Sequence, residues 1–114
     1  MKLVYIAGPY RGNTKEEIQA NIDFARLFGR AIARLGVLFP VMPHSNSSLF
    51  DFIAPDITPE YWLTGDLILL SKCDAIFMLP GWKESGGALI EHRKAEELNI
   101  PIFYEFSELE KWSK

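Results

Sequence analysis

Short apolar runs alternate with amphipathic stretches along this chain. Leu3-Val4-Tyr5-Ile6-Ala7 is a near-continuous apolar run, the pattern of a parallel strand covered on both faces. Gly8-Pro9-Tyr10-Arg11-Gly12-Asn13 breaks it. Thr14 followed by Glu17 forms a capping-box signature, and the helix it opens carries Ile18, Ile22, Ala25, Phe28, Ile32 and Leu35 on one face until Gly36 stops it. Val37-Leu38-Phe39-Pro40-Val41 predicts a second strand, with Pro40 placing it at an outer position of the sheet. The segment from Pro43 to Pro59 has no clear period and reads as a long loop. Loops of that length in a compact domain are usually binding elements or mobile.

The alternation then resumes. Thr58-Pro59 supplies an N-cap and a proline at the first helical position, opening a helix with Leu63, Leu67 and Leu70 as its inner stripe. Asp74-Ala75-Ile76-Phe77-Met78-Leu79 reads as the third strand, and Pro80 to Glu84 as a loop. Ser85 to Leu98 is the next helix, with Ala88, Glu91, Ala95 and Leu98 on its inner stripe and His92, Arg93, Glu96 and Glu97 on or near the opposite face. Ile100 to Tyr104 is a fourth strand, and Ser107 to Trp112 a short closing helix. Strand and helix in regular order predict an α/β fold: one three-layer domain spanning residues 1–114, with a mostly parallel, flavodoxin-like (Rossmann-like) sheet of four to five strands. Ligands of such sheets bind beyond the carboxyl ends of the strands, at the switch in strand order. Gly8–Gly12, the Pro43 loop and Trp82–Gly87 all follow strands, so they are expected to meet at one rim.

Composition narrows the choice of partner. The chain has 114 residues, enough for one layered core but not two. A net charge of −3 offers no electrostatic case for a nucleic acid polymer or an anionic membrane. No apolar run reaches the ~20 residues that span a bilayer, and no signal peptide is legible. The one cysteine, Cys73, excludes an internal disulfide and suits a reducing cytoplasm. Cys73, His44 and His92 lack metal-ligand spacing, so neither a metal nor another cofactor is expected.

The chemistry concentrates on a few positions. Glu91 places a carboxylate on a helix stripe of alanines and a leucine, which is costly unless the group is paired, lines a binding cleft, or sits at the stripe's edge and reaches water. Gly8 and Gly12 bracket Arg11, and Ser85-Gly86-Gly87 opens a helix whose free N–H groups point outward. Close backbone approach, a helix N-terminus and an arginine fork together suit an anion. No Gly-Lys-Ser/Thr and no GxGxxG is present, so this is neither a P-loop nor a dinucleotide fingerprint. Asp66 is an acid in a largely apolar helix, and Tyr5 brings a hydroxyl into the first strand. Taken singly, Ser85 is a helix cap, Asp66 a solvated aspartate and Tyr5 a core tyrosine. Together with Glu91 they form two carboxylates and a phenol around an anion site, a set suited to glycosidic-bond cleavage.

In Val4-Tyr5-Ile6-Ala7-Gly8, Gly65-Asp66-Leu67, Cys73-Asp74-Ala75 and, most specifically, Ser85-x-Gly87-x-x-x-Glu91, the chain resembles the nucleoside 2-deoxyribosyltransferase superfamily. That superfamily includes 2'-deoxynucleoside 5'-phosphate N-hydrolases, and the likeness is greatest to small bacterial and phage members. It runs from Val4 to Pro101. It implies Glu91 as the nucleophile forming a glycosyl ester, Tyr5 as the tyrosine that holds or tunes it, and Asp66 as the aspartate of base recognition and proton transfer. It also implies phosphate contacts at Ser85, where the transferases tend to carry an aspartate, and at Arg11. Gly8, Gly12 and Gly87 belong with that phosphate site. The implied activity is release of free base from a (deoxy)nucleoside 5'-monophosphate, or passage of its sugar to another base, by a homodimer or higher homo-oligomer. The alternative is a nucleotide-binding or sensing module without chemistry. Pro9-Tyr10, Pro80-Gly81-Trp82 and the Pro43–Pro59 segment depart from the superfamily's pattern.

Overall fold

In the computed structural model, which describes residues 1–114, the first apolar run forms β1 (Lys2–Ala7) and leads into the long helix α1 (Lys15–Arg34). Thr14 caps α1 as its pattern predicts: the hydroxyl oxygen accepts from the Glu17 N–H at 3.1 Å. Ile18, Ile22, Ala25 and Ile32 form its buried stripe. The chain leaves α1 through Gly36, whose φ of +77° would strain any residue with a Cβ. β2 (Leu38–Val41) follows, then two four-residue helices, α2 (Pro43–Asn46) and α3 (Phe50–Ile53). α4 (Pro59–Ser71) starts at Thr58, whose hydroxyl accepts from the Tyr61 N–H at 3.3 Å. β3 (Ala75–Met78), a single 3-10 turn at Trp82–Glu84, α5 (Gly86–Glu97), β4 (Ile102–Phe103) and α6 (Phe106–Trp112) complete the chain.

The four strands lie in the order β2-β1-β3-β4, and every neighbouring pair is parallel. This is the expected α/β architecture, with the sequence of strands that flavodoxin-like sheets share. β2 is an edge strand, the position at which a sheet tolerates a proline such as Pro40. Side chains alternate across β1 and sort the core into two halves. Val4 and Ile6 join Ala25, Ile32, Phe77 and Leu109 on the face covered by α1 and α6. Tyr5 and Ala7 join Leu70, Ile76, Met78, Ala88 and Ala95 on the face covered by α4 and α5. The direction of strand order reverses between β1 and β3, whose following connections lead to helices on opposite faces of the sheet.

Several local expectations need correction. The Pro43–Pro59 segment is not a featureless loop: α2 and α3 occupy its middle, the first begun by Pro43 at a helical start. Of the α4 stripe only Leu70 is fully buried, while Leu63 and Leu67 are half-buried, because α4 carries apolar residues on all sides and Tyr61 and Ile68 face outward. Leu98 does not belong to the inner stripe of α5. The helix ends at Glu97, Leu98 caps it, and its side chain is exposed. His92 lies off the inner stripe, as expected, and is half-buried. Its ring stacks on Trp82 with centroids 4.4 Å apart, and its Nε2 pairs with the Tyr104 hydroxyl at 2.7 Å.

Candidate active site

Strand alternation turns Tyr5 toward α5, and the helical period turns Glu91 toward β1. The Tyr5 hydroxyl donates a hydrogen bond to Glu91 Oε2. Tyr5 is fully enclosed and Glu91 is only 6% exposed, so this carboxyl has left bulk water. The water-reaching option for Glu91 is thereby removed. Burial is the main reason its pKa rises to about 8; the negative charge of Asp66 adds to the rise, and the Tyr5 hydrogen bond opposes it. Burial, then the charges of Glu91 and Asp66, push the Tyr5 phenol well above its ordinary value, so it remains a protonated donor. Asp66 projects from α4, which lies beside α5, and burial raises its pKa to about 6.

Glu91 and Asp66 both line a cleft of about 500 Å³ at the carboxyl end of the sheet. Its walls come from the turn after β1 (Gly8–Arg11), from α2 and α3 after β2 (His44, Asp51), from the first turns of α4 (Trp62, Leu63) and from the entrance to α5 (Ser85–Ala88). The three rim segments therefore converge. Ser85 caps α5, accepting from the Ala88 N–H at 3.2 Å. Its own O–H proton is left to donate into the cleft. Around Gly87 a Cβ would meet nothing within 4 Å, so that backbone stands open. Gly8 differs: a Cβ there would strike Leu79 at 2.7 Å, so its small size serves the packing of β1 on the segment after β3. Gly12 does not line the cleft, and a Cβ on it would meet Glu17 at 2.6 Å. Arg11 reaches the rim with most of its side chain in solvent, its Nη1 3.7 Å from Asp51 Oδ2. Tyr5 stands behind Glu91 rather than in the wall.

The structure also adds residues whose place the periodicity could not reveal. His44 lines the cleft at 4% exposure; its Nε2 donates to the Pro9 carbonyl at 3.0 Å, and its Nδ1 is buried without a partner. Burial lowers its pKa, only partly offset by the Pro9 and Gly8 carbonyls, so the ring is neutral near pH 7 with Nδ1 as an acceptor. Asp51, Glu60 and Glu84 bring further carboxylates to the wall, and Arg11 is its one permanently charged cation. The only sequence signal for His44 and Asp51 was the length of the segment that carries them.

This arrangement offers one carboxyl held by a phenol in the cleft wall, a second carboxyl of different acidity, and free N–H and O–H donors at a helix start. No group of three His, Cys, Asp or Glu side chains is arranged to hold a metal ion.

Comparison with known proteins places the fold. The solved structure of a 2-deoxyribosyltransferase from the psychrotolerant bacterium Bacillus psychrosaccharolyticus superposes on 88% of this chain and 69% of its own, with a TM-score of 0.60 and 17% identity. At that identity the likeness is one of fold. No curated protein sequence matches the chain. The profile of the family described as "Domain of unknown function (DUF4406)" matches residues 2–104, nearly the whole length, and the chain is therefore a member of that family.

Proposed function

We propose that this protein cleaves the N-glycosidic bond of a (deoxy)nucleoside 5'-monophosphate, with Glu91 as nucleophile. The observation that carries the reading is the buried Glu91 carboxyl, held by the Tyr5 hydroxyl in a cleft wall that Asp66 shares. Ionised, a Glu91 oxygen attacks the anomeric carbon as the bond to the base breaks, and the bonding electrons leave with the base. Asp66 gives the departing nitrogen its proton. The glycosyl ester is then resolved by water, which makes the protein a hydrolase, or by a second base, which makes it a transferase; the acceptor's proton passes to Asp66 and Glu91 leaves as a carboxylate. Six residues of helix rise ~9 Å, the scale of a sugar with its 5'-phosphate. A phosphate at Ser85, Gly87 and Arg11 therefore leaves the anomeric carbon facing Glu91.

The protein acts as a homodimer or higher homo-oligomer in this proposal. The outward Tyr61 and Ile68 of α4, a helix apolar on every side, support an additional covering surface. The fold shared with a 2-deoxyribosyltransferase is consistent with the chemistry.

A second reading has its own support. With a pKa of about 8, Glu91 is mostly neutral in the empty cleft near pH 7 and does not repel a bound anion, which also suits a nucleotide-binding or sensing module without turnover. The two part on one experiment. Incubating the protein with nucleoside 5'-monophosphates and matched nucleosides should release free base from the monophosphates, and Glu91→Ala should abolish that release while the protein stays folded. Binding without base release by the wild type would establish the module instead.

A further inference from the structure

The cleft pairs one arginine with five acids, Asp51, Glu60, Asp66, Glu84 and Glu91, so Arg11 is the one cationic side chain that an entering anion meets beside the donors of the α5 start. Arg11 is not idle. Its Nη1 lies 3.7 Å from Asp51 Oδ2, with the two side chains 61% and 30% exposed. That separation is an ion pair without a hydrogen bond, a contact that a better acceptor displaces readily.

The placement of Asp51 is built by the chain around it. The Tyr10 hydroxyl donates to the Ser47 carbonyl at 3.2 Å and accepts from the Leu49 N–H at 3.0 Å, tying the segment before α3 to the residue beside Arg11. Leu49 is held at a φ of +62°, a left-handed conformation that costs a leucine about 1–2 kcal/mol. The reversal it makes starts α3, and Asp51 lies in the first turn of that helix. Phe50 anchors the same turn on Trp62, with ring centroids 4.9 Å apart. A surface segment thus holds a strained residue and a tyrosine clamp, and their joint effect is to set a carboxylate against the cleft's one arginine.

We infer that Asp51 is a specificity-determining residue which occupies Arg11 in the empty cleft and is exchanged for the phosphate of an incoming sugar phosphate. Arg11 then releases a carboxylate and takes a phosphate, to which it can present two parallel donors. A ligand without phosphate gains nothing from the exchange, and a weak anion does not complete it. Asp51 thereby makes the cleft selective for a strong phosphate acceptor over a carboxylate or an uncharged sugar. The inference rests on the phosphate-binding part of the proposed function and not on Glu91 chemistry.

The test uses 2-deoxyribose 5-phosphate, which has no base to lose, so titration calorimetry reads binding alone; 2-deoxyribose is the uncharged control. Asp51→Asn should bind the phosphate about three- to tenfold more tightly than wild type, whereas Asp51→Glu, which keeps the charge, should stay near wild type. In an Arg11→Ala background the gain from Asp51→Asn should vanish, because there is no arginine left to compete for. An equal gain in both backgrounds would overturn the exchange and leave simple charge repulsion. No gain in either, or an equal gain for the uncharged sugar, would also overturn it. Base release that survives Glu91→Ala would sink the catalytic proposal while leaving this titration fully readable.

Discussion

At the scale of single residues, the two cleft carboxyls divide the protons in an order opposite to the simplest mechanism. Attack needs Glu91 ionised and Asp66 protonated, yet Glu91 has the higher pKa, about 8 against about 6, since Glu91 is the more deeply buried and also feels the Asp66 charge. When the pair holds one proton, that proton therefore sits mostly on Glu91, the more deeply buried of the two. The reactive arrangement is a minor one, available only between the two ionisations. We therefore expect kcat/KM for a nucleoside monophosphate to follow a bell with limbs near pH 6 and pH 8. Asp66→Asn should lower the rate and remove the alkaline limb, leaving activity that climbs as Glu91 ionises and then stays level. A wild-type profile already level above pH 8 would show that Asp66 positions the base and does not protonate it. Tyr5 stays out of this titration because its own burial keeps it protonated.

At the scale of elements, the glycines of the rim separate into those that serve packing and those that leave room. Gly8 lets β1 pass against Leu79, a fully buried side chain with nowhere to move. Gly87 lies in the first turn of α5 with open space around it. Gly8→Ala should destabilise the protein by about 1–3 kcal/mol through overpacking. Gly87→Ala should leave thermal stability unchanged or slightly raised, since alanine suits a helix better than glycine. It should nevertheless weaken sugar-phosphate binding, if a ligand approaches that backbone closely. Thermal melts beside a binding titration distinguish the two. Loss of stability in Gly87→Ala, or intact ligand affinity, would count against a binding role for the α5 entrance.

For the whole molecule, the cleft is a load on folding. Glu91 ionises with an ordinary pKa of 4.5 when the chain is unfolded and about 8 when folded. Below about 4.5 both states hold the proton and the burial is harmless. Between about 4.5 and 8 the unfolded chain releases the proton while the folded one keeps it, so stability falls as pH rises; above 8 both are ionised and the loss levels off. The magnitude is of the order of 5 kcal/mol, large beside the ~5–15 kcal/mol net stability of a typical domain. Glu91→Gln keeps the shape and an acceptor for the Tyr5 hydroxyl, but it cannot ionise. Its melting temperature should match wild type near pH 4.5 and exceed it by roughly 10–20 °C near pH 8.5. A deficit for Glu91→Gln at the higher pH would show that the ionised carboxylate is stabilised in the fold. Outside the cleft, no helix is long and apolar enough to cross a membrane.

Local, periodic physics made much of this protein legible in the sequence. The Thr14 and Thr58 caps, the stripe of α1, the existence of β3, the edge placement of β2 and the parallel α/β arrangement all follow from interactions within a few residues or from one repeat. The anomaly of Glu91 was visible too, because a carboxylate on an apolar stripe stands out against its own helix. Other decisions belong to the tertiary structure, since they depend on contacts between distant segments. Tyr5 meets Glu91 across 86 positions of chain, and the relative acidity of Glu91 and Asp66 depends on how deeply β1, α4 and α5 bury each one. The same holds for His44, which has no period to betray it, and for Asp51, brought to Arg11 by a left-handed leucine and a tyrosine hydroxyl. Leu98 shows the converse: its spacing fits the inner stripe, but the helix ends one residue too soon for spacing to matter. Periodicity reports which face a side chain takes while its element lasts; where elements end, and what meets across them, is settled by packing.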